Sequence, residues 1–340
     1  MFGVLTPIQP PKRRVLFDDY SDIMSPFSIL DLPLLAMQTC LTKMSSKELI
    51  HFSLCSKKAK EASKIVQRKL NFFMLSLAES VHIHIQFENE VRCSAFVWKP
   101  TIPKYRFRRR HKEEKKTKQF IWHMCEVFQR PIDHIYLTAK NYKKEMRWLY
   151  SHQPTIRQLS IAEDRVTNKE ARRILDDTKV SLQVYLFFQP KANFQYEGFK
   201  TDVDVLYVKH SRWITVQNLM DMNCLEISLK NCSLTDHDIN AFLRSWTQGS
   251  NQRLRWFSVS RGKPDEIMVN KELIKRGLNA VPRSRSKRKE YEMTDSSGRR
   301  CSWMICGGFD ITRHDGKVAT LRMQPSFDGA LTYVISLCVW

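Results

Sequence analysis

Between residues 135 and 259 one short pattern recurs: an apolar residue, a variable residue, then a second apolar residue. It reads Ile135-Tyr136-Leu137, Leu159-Ser160-Ile161, Val184-Tyr185-Leu186, Leu206-Tyr207-Val208, Ile227-Ser228-Leu229 and Phe257-Ser258-Val259. The spacings are 24, 25, 22, 21 and 30 residues. Alternation of this kind puts the outer two side chains on one face of a strand. Helical patterns lie between several triplets. Thr167 and Glu170 have capping-box spacing, followed by Ala171, Ile174 and Leu175 on one helical face. Thr235 and Asp238 give a weaker cap before Ile239, Phe242, Leu243 and Trp246 at i, i+3, i+4 and i+7. Gly249 follows as a stop signal.

Strand–helix units of roughly 20–30 residues predict a leucine-rich-repeat-like stack in which each unit covers its neighbour's apolar face. An ordinary α/β domain with similar element lengths fits the pattern as well. From Trp303 onward the pattern turns to strands. FDITRHDGKVATLRM sets Asp315-Gly316 between two β-rich runs, a hairpin signal, and ALTYVISLCVW supplies a closing strand.

The N-terminal pattern is helical. In PFSILDLPLLAMQTC, Asp31 is a candidate cap with Pro33 in the first turn, and Leu34, Met37 and Leu41 share a face. Ser45 with Glu48 predicts a second helix through Phe52, and Ser56 a third running to about Leu70. Three short helices bury little surface. Leu30, Leu32, Leu35, Cys40, Leu49, Ile50, Leu54 and Cys55 are left to divide between a shared core and an exposed patch, and such patches mark interfaces.

The expected fold class is therefore mixed α/β: an N-terminal three-helix unit, then a repeat-like strand–helix domain with terminal antiparallel strands. The expected segments are a flexible basic leader (1–25), the helical unit (26–70), a connecting helix and strand region (71–103), a basic linker or loop (104–118), the repeat-like domain (119–262) and a C-terminal part with the hairpin (263–340).

Charge adds one competing idea. Lys and Arg outnumber Asp and Glu 56 to 35, a net charge of +21, which favours acidic partners without choosing among them. KYRFRRRHKEEKKTK (104–118) carries nine Lys or Arg against two Glu and interleaves Tyr105 and Phe107. Arg106, Arg108, Arg109, Arg110 and Lys112 form a basic patch that could hold phosphates, and RSRSKRK (283–289) forms a second basic loop. The alternative function is thus nucleic-acid binding through these two loops. No zinc finger, KH loop or RNP motif accompanies them.

Catalytic and metal chemistry find little support. The nine cysteines include no Cys-x-x-Cys pair, and they fit free thiols in a reducing compartment. No secretory signal or apolar run of spanning length occurs, so a cytoplasmic or nuclear location is expected, with no membrane partner. His82 and His84 share a strand face without a third ligand; Gly307-Gly308 reads as a turn or bulge. No phosphate-binding loop, dinucleotide fingerprint or HExxH is present. No cofactor, no metal and no catalytic residue are assigned.

The residues now carry a resemblance. PFSILDLPLLAMQTCLTKMSSKELIHFSLCSKKAKEAS resembles an F-box, through Leu32-Pro33, Leu30, Met37, Leu41, Leu49 and Leu54, and Cys55-Ser56-Lys57. Leu34 stands where an acidic residue is common, as in the nematode branch. SLKNCSLTDHDINAFLRSWTQGSNQRLRWFSV (228–259) and CGGFDITRHDGKVATLRM (306–323) resemble the F-box-associated domain of the large nematode F-box families. The resemblance implies a non-catalytic receptor of a cullin-based (SCF) ubiquitin ligase. Leu30, Leu32, Pro33, Met37, Leu41, Leu49, Leu54, Cys55, Ser56 and Lys57 would dock on a Skp-type adaptor and, through it, on a cullin. The C-terminal domain would bind a protein substrate. Trp256 is a weak candidate for that contact, whereas Trp246 sits on an apolar helix face and reads as core. A pseudo-receptor that binds the adaptor without recruiting a substrate has the same sequence signature.

Overall fold

The computed structural model describes residues 28–66, 70–78, 81–87, 94–98, 107–162, 164–261, 269–294, 300–325 and 333–340. The expected leader, 1–25, lies outside them. The chain divides into two compact units, Met1–Ile132 and Asp133–Trp340.

In the first unit a 3-10 turn, Ile29–Asp31, leads into α1 (Leu34–Lys43), α2 (Ser46–Cys55) and α3 (Lys57–Ile65). Ser45 and Glu48 form the expected capping box on α2, and the Ser56 hydroxyl accepts from the Ala59 N–H at 3.0 Å to start α3. Asp31 does not cap α1; Pro33 stands at that position without a side-chain bond. The third helix ends at Ile65, not near Leu70, because β-type residues follow: Leu70–Ser76 is β1. It pairs antiparallel with β2 (Val81–Phe87), which pairs with β3 (Ser94–Trp98).

Of the basic run expected as a linker or loop, residues 107–118 instead form the first half of α4, Phe107–Val127, and 104–106 lie outside the described residues. Lys, Arg, Glu and Gln are good helix formers, and Glu114 and Lys118 add an i,i+4 ion pair at 3.1 Å. The helix is anchored by its second half, where Ile121, Met124, Cys125 and the following Phe128 are buried at i, i+3, i+4 and i+7.

Among the described residues, the sheet of the second unit has ten strands, in the order β10-β13-β14-β15-β9-β8-β7-β6-β5-β4. Six are parallel: β4 (His134–Leu137), β5 (Ile156–Ile161), β6 (Val180–Leu186), β7 (Val205–Val208), β8 (Glu226–Leu229) and β9 (Trp256–Arg261). The apolar triplets lie in register. Ile135, Leu159, Val184, Leu206, Ile227 and Phe257 form one row across the sheet; Leu137, Ile161, Leu186, Val208, Leu229 and Val259 form the next. Both rows are buried.

Helices α5 (Tyr142–Tyr150), α6 (Asn168–Asp177), α7 (Val216–Asp221) and α8 (Asp236–Thr247) connect these strands. Capping boxes start α6 and α8 as the spacing predicts, and Thr215 with Asn218 adds a third on α7. Phe242 of α8 meets Phe257 with centroids 4.5 Å apart, and Trp246 is fully buried. Between β6 and β7 no helix forms. The loop there brings Phe194, Tyr196 and Phe199 against Trp213, with the Phe199 ring 5.2 Å from it.

After β9 the sheet turns antiparallel. α9 (Lys271–Lys275) precedes β10 (Val281–Pro282); β13 (Phe309–Thr312) and β14 (Val318–Pro325) form the hairpin expected at Asp315-Gly316, with Gly316 at φ +86°. β15 (Tyr333–Val339) inserts between β14 and β9. A separate hairpin pairs β11 (Arg288–Thr294) with β12 (Arg300–Cys306). The second basic stretch is thus only partly a loop: Arg288 and Lys289 open β11, and Arg283 is tied to Asp310 at 3.1 Å.

Candidate functional site

Two helical corners of the first unit carry the site. Leu41 of α1, Leu49 and Ile50 of α2 and Ala59 and Ala62 of α3 are its interior. Leu41 is the one buried residue of α1, so that helix sinks its C-terminal turn and leaves its first turn clear. There Leu34 is 58% exposed and Leu35 77%; at the end of α2, Leu54 is 50% exposed. Pro33, Cys55, Ser56 and Lys57 are also exposed, while Leu30, Leu32 and Met37 are half-buried. Branched apolar side chains this accessible cost free energy in water and favour a covering partner.

The expected partner-facing set changes accordingly. Leu41 and Leu49 are core residues of the isolated chain, with 0% and 1% exposure. Leu34 and Leu35, which the expected set omits, are the most exposed leucines among the described residues. The i,i+7 relation of Leu34 to Leu41 hides this, since periodicity gives the face of a helix but not where along it the core ends.

Helix α4 braces this unit. His123 Nε2 lies 2.8 Å from the buried Ser53 hydroxyl of α2, and Lys60 of α3 pairs with Glu126. Burial, helped by the Lys60 charge, pushes the His123 pKa below its usual value. The Lys60 bond lowers that of Glu126. Of the expected basic patch, Arg106 lies outside the described residues. Arg108, Arg109, Arg110 and Lys112 fall on α4, and their side chains lie outside them too.

On β2 the His82 and His84 rings stack 6.2 Å apart. Among the described residues, no group of three or more His, Cys, Asp or Glu is placed to hold a metal. Nor is any described helix long and apolar enough to cross a membrane.

In the second unit the middle residues of the triplets form the opposite face of the sheet. Tyr185, Phe187 and Tyr207 cluster there, half-buried, with Phe187 and Tyr207 centroids 5.3 Å apart. Trp256 is not a free anchor. It packs on Tyr291 at 5.1 Å, with Trp340, in a small core of Tyr291, Ile305 and Cys338. The Tyr291 hydroxyl donates to Glu226 at 3.0 Å, and burial raises both pKa values.

Comparison with known proteins agrees with this division. An F-box domain model matches residues 29–71, the stretch that holds the exposed leucines. A model described as F-box associated matches residues 196–259, the β7 to β9 repeats. The chain is 22% identical to the uncharacterized Caenorhabditis elegans protein F59B2.9 across 92% of this chain and 79% of that one. It is equally similar to the uncharacterized F59B2.8 of the same organism, across 93% and 78%. A 77-residue stretch, 23% of this chain, is 31% identical to 6% of the Caenorhabditis elegans E3 ubiquitin-protein ligase hecw-1. No solved structure shows significant similarity to the chain. An F-box followed by an F-box-associated domain is the domain order of the nematode F-box protein family, and the chain matches that family.

Proposed function

We propose that this protein is a substrate receptor of an SCF-type ubiquitin ligase. Its helical unit docks on a Skp-type adaptor, which links it to a cullin, and its second unit holds a protein substrate. The observation that carries the reading is the exposure of Leu34, Leu35 and Leu54, with Pro33, inside the stretch matched as an F-box. Of the residues expected from sequence, Pro33, Leu54, Cys55, Ser56 and Lys57 remain on the docking surface, with Leu30, Leu32 and Met37 at its edge. A receptor of this kind accelerates transfer by proximity: it raises the effective concentration of a substrate lysine near the conjugating enzyme. The receptor itself then contributes binding energy and geometry, and no bond is made or broken on it.

The test is direct binding. Purified chain and a purified Skp-type adaptor are expected to co-elute in size exclusion, and Leu35→Asp is expected to separate them while the circular dichroism stays unchanged. Co-elution of the folded Asp variant would remove the docking role from this surface. The nucleic-acid reading has the net charge in its favour; binding to RNA or DNA that falls steeply with salt would revive it.

A further inference from the structure

The carboxyl ends of parallel strands are the usual place for a binding crevice, because the loops diverge there. In the second unit a cavity of about 270 Å³ opens at that end of β6, β7 and β8. Three successive loops supply its lining: Gln189 and Lys191 after β6, His210, Arg212 and Trp213 after β7, and Asn231 after β8. The volume lies at or below the small end of the roughly 300–1,000 Å³ range of small-molecule pockets. It suits one or two side chains of a bound polypeptide.

The walls are built in advance. Ser211 donates its N–H and its hydroxyl to the Lys230 carbonyl, at 3.0 and 2.8 Å. Asn231, held at φ +50°, donates from its side chain to the Lys209 carbonyl at 3.2 Å. Ser233 donates to the Arg212 carbonyl at 2.7 Å. The floor is aromatic: Trp213 is 4% exposed and meets Phe194 edge-on at 5.8 Å.

Among the described residues, the formal charges on the lining, Lys191 and Arg212, have one sign. Lys191 and Arg212 are exposed, and neither forms an ion pair with a carboxylate among the described residues. Among the described residues, no acidic side chain lines the cavity. The Asp164 backbone carbonyl accepts the Gln189 N–H at 2.8 Å. The Trp213 indole N–H is buried and has no acceptor among the described residues. A buried donor left without an acceptor costs roughly 1–3 kcal/mol, so a ligand oxygen that reaches it is favoured.

We propose that this cavity is the substrate-reading pocket and that it takes an oxyanion, a phosphoryl group or a side-chain carboxylate, on the substrate polypeptide. The inference deepens the receptor reading above and rests on it. Arg212 and Lys191 supply charge-assisted hydrogen bonds, the indole N–H adds a neutral one, and Phe194 with Trp213 packs the apolar stem.

The test follows the Trp213 indole resonance of the ¹⁵N-labelled full chain, assigned with Trp213→Phe. The probes are N-acetyl-phosphoserine amide, N-acetyl-glutamate amide, N-acetyl-serine amide and inorganic phosphate. A saturable shift with the phosphoserine or glutamate probe, absent with the serine probe, is expected. The stronger of the two identifies the oxyanion. Lys191→Gln/Arg212→Gln is expected to weaken that probe at least roughly tenfold, the loss of one charged hydrogen bond. An unmoved Trp213 resonance with every probe, equal shifts with the serine and charged probes, or a shift that survives in the double variant would overturn the proposal. Saturation by inorganic phosphate alone would reduce it to an adventitious ion site. Adaptor co-elution is unaffected by any of these outcomes, so a failed pocket is distinguishable from a failed receptor.

Discussion

Truncation of Leu34 and Leu35 to alanine separates docking from folding. The two side chains are 58% and 77% exposed, so most of their apolar area is free in the isolated chain and available to a partner. Full burial of a leucine is worth about 2 kcal/mol. Scaled by those exposed fractions, complete coverage by an adaptor makes the pair worth about 2 to 3 kcal/mol of binding, or roughly 30- to 150-fold in Kd. The cost to folding comes from the smaller shielded fraction and is partly offset by the better helix propensity of alanine. Leu41→Ala is the counterpart. At 0% exposure it removes core area and leaves a cavity, at about 2–5 kcal/mol of stability, and it presents nothing to a partner. Titration calorimetry against a purified Skp-type adaptor, with a thermal melt of each variant, reads both quantities. The expected result is weak binding with a nearly unchanged melt for Leu34→Ala/Leu35→Ala, and the reverse for Leu41→Ala below its melting point. Adaptor affinity of the double variant within threefold of wild type, with the fold intact, would refute the reasoning.

Other consequences follow from single contacts. Arg261 and Asp236 form a buried pair at 2.6 Å, and Asp236 also accepts the Asn270 N–H at 2.8 Å; Asp236→Ala leaves the guanidinium buried and unpaired, at about 3–5 kcal/mol, measurable by denaturant titration. His123 has its pKa lowered from 6.5 by burial, so the unfolded chain takes up the proton first as pH falls. Its contribution to stability is therefore present above 6.5 and lost as pH drops from there through the lower folded value; His123→Gln is expected to flatten that part of the stability profile, and an unchanged profile would contradict the assignment. Gly308 sits at φ +100°, where an added Cβ would fall 2.6 Å from the Leu321 carbonyl, so Gly308→Ala is expected to cost about 1–3 kcal/mol and to lower the melting temperature.

Where one residue type repeats against a fixed geometry, the chain was legible before the structure. The triplets predicted six strands because parallel register demands apolar side chains at matching positions, and the rows from Ile135 to Phe257 and from Leu137 to Val259 are those positions. Capping boxes at Ser45, Thr167 and Thr235 were readable because they are local. Charge density misled at 107–118, since lysine and arginine are at home in loops and in helices alike, and the anchor of α4 lies in the apolar residues from Ile121 to Phe128. Long-range packing was not legible. Nothing local distinguishes the buried Leu41 from the exposed Leu35, and nothing local places Trp256 beside Tyr291. The oxyanion pocket gathers Lys191, Arg212 and Trp213 from two loops that are neighbours only because β6 and β7 are.

The most direct test of the central claim is an affinity purification from cell extract, read by mass spectrometry, with wild-type chain and Leu35→Asp/Leu54→Asp as baits. The account predicts a Skp-type adaptor and a cullin with wild type alone, and a set of further proteins, the substrate candidates, with both. Recovery of adaptor and cullin in equal amounts by the two baits, or by neither, would contradict it.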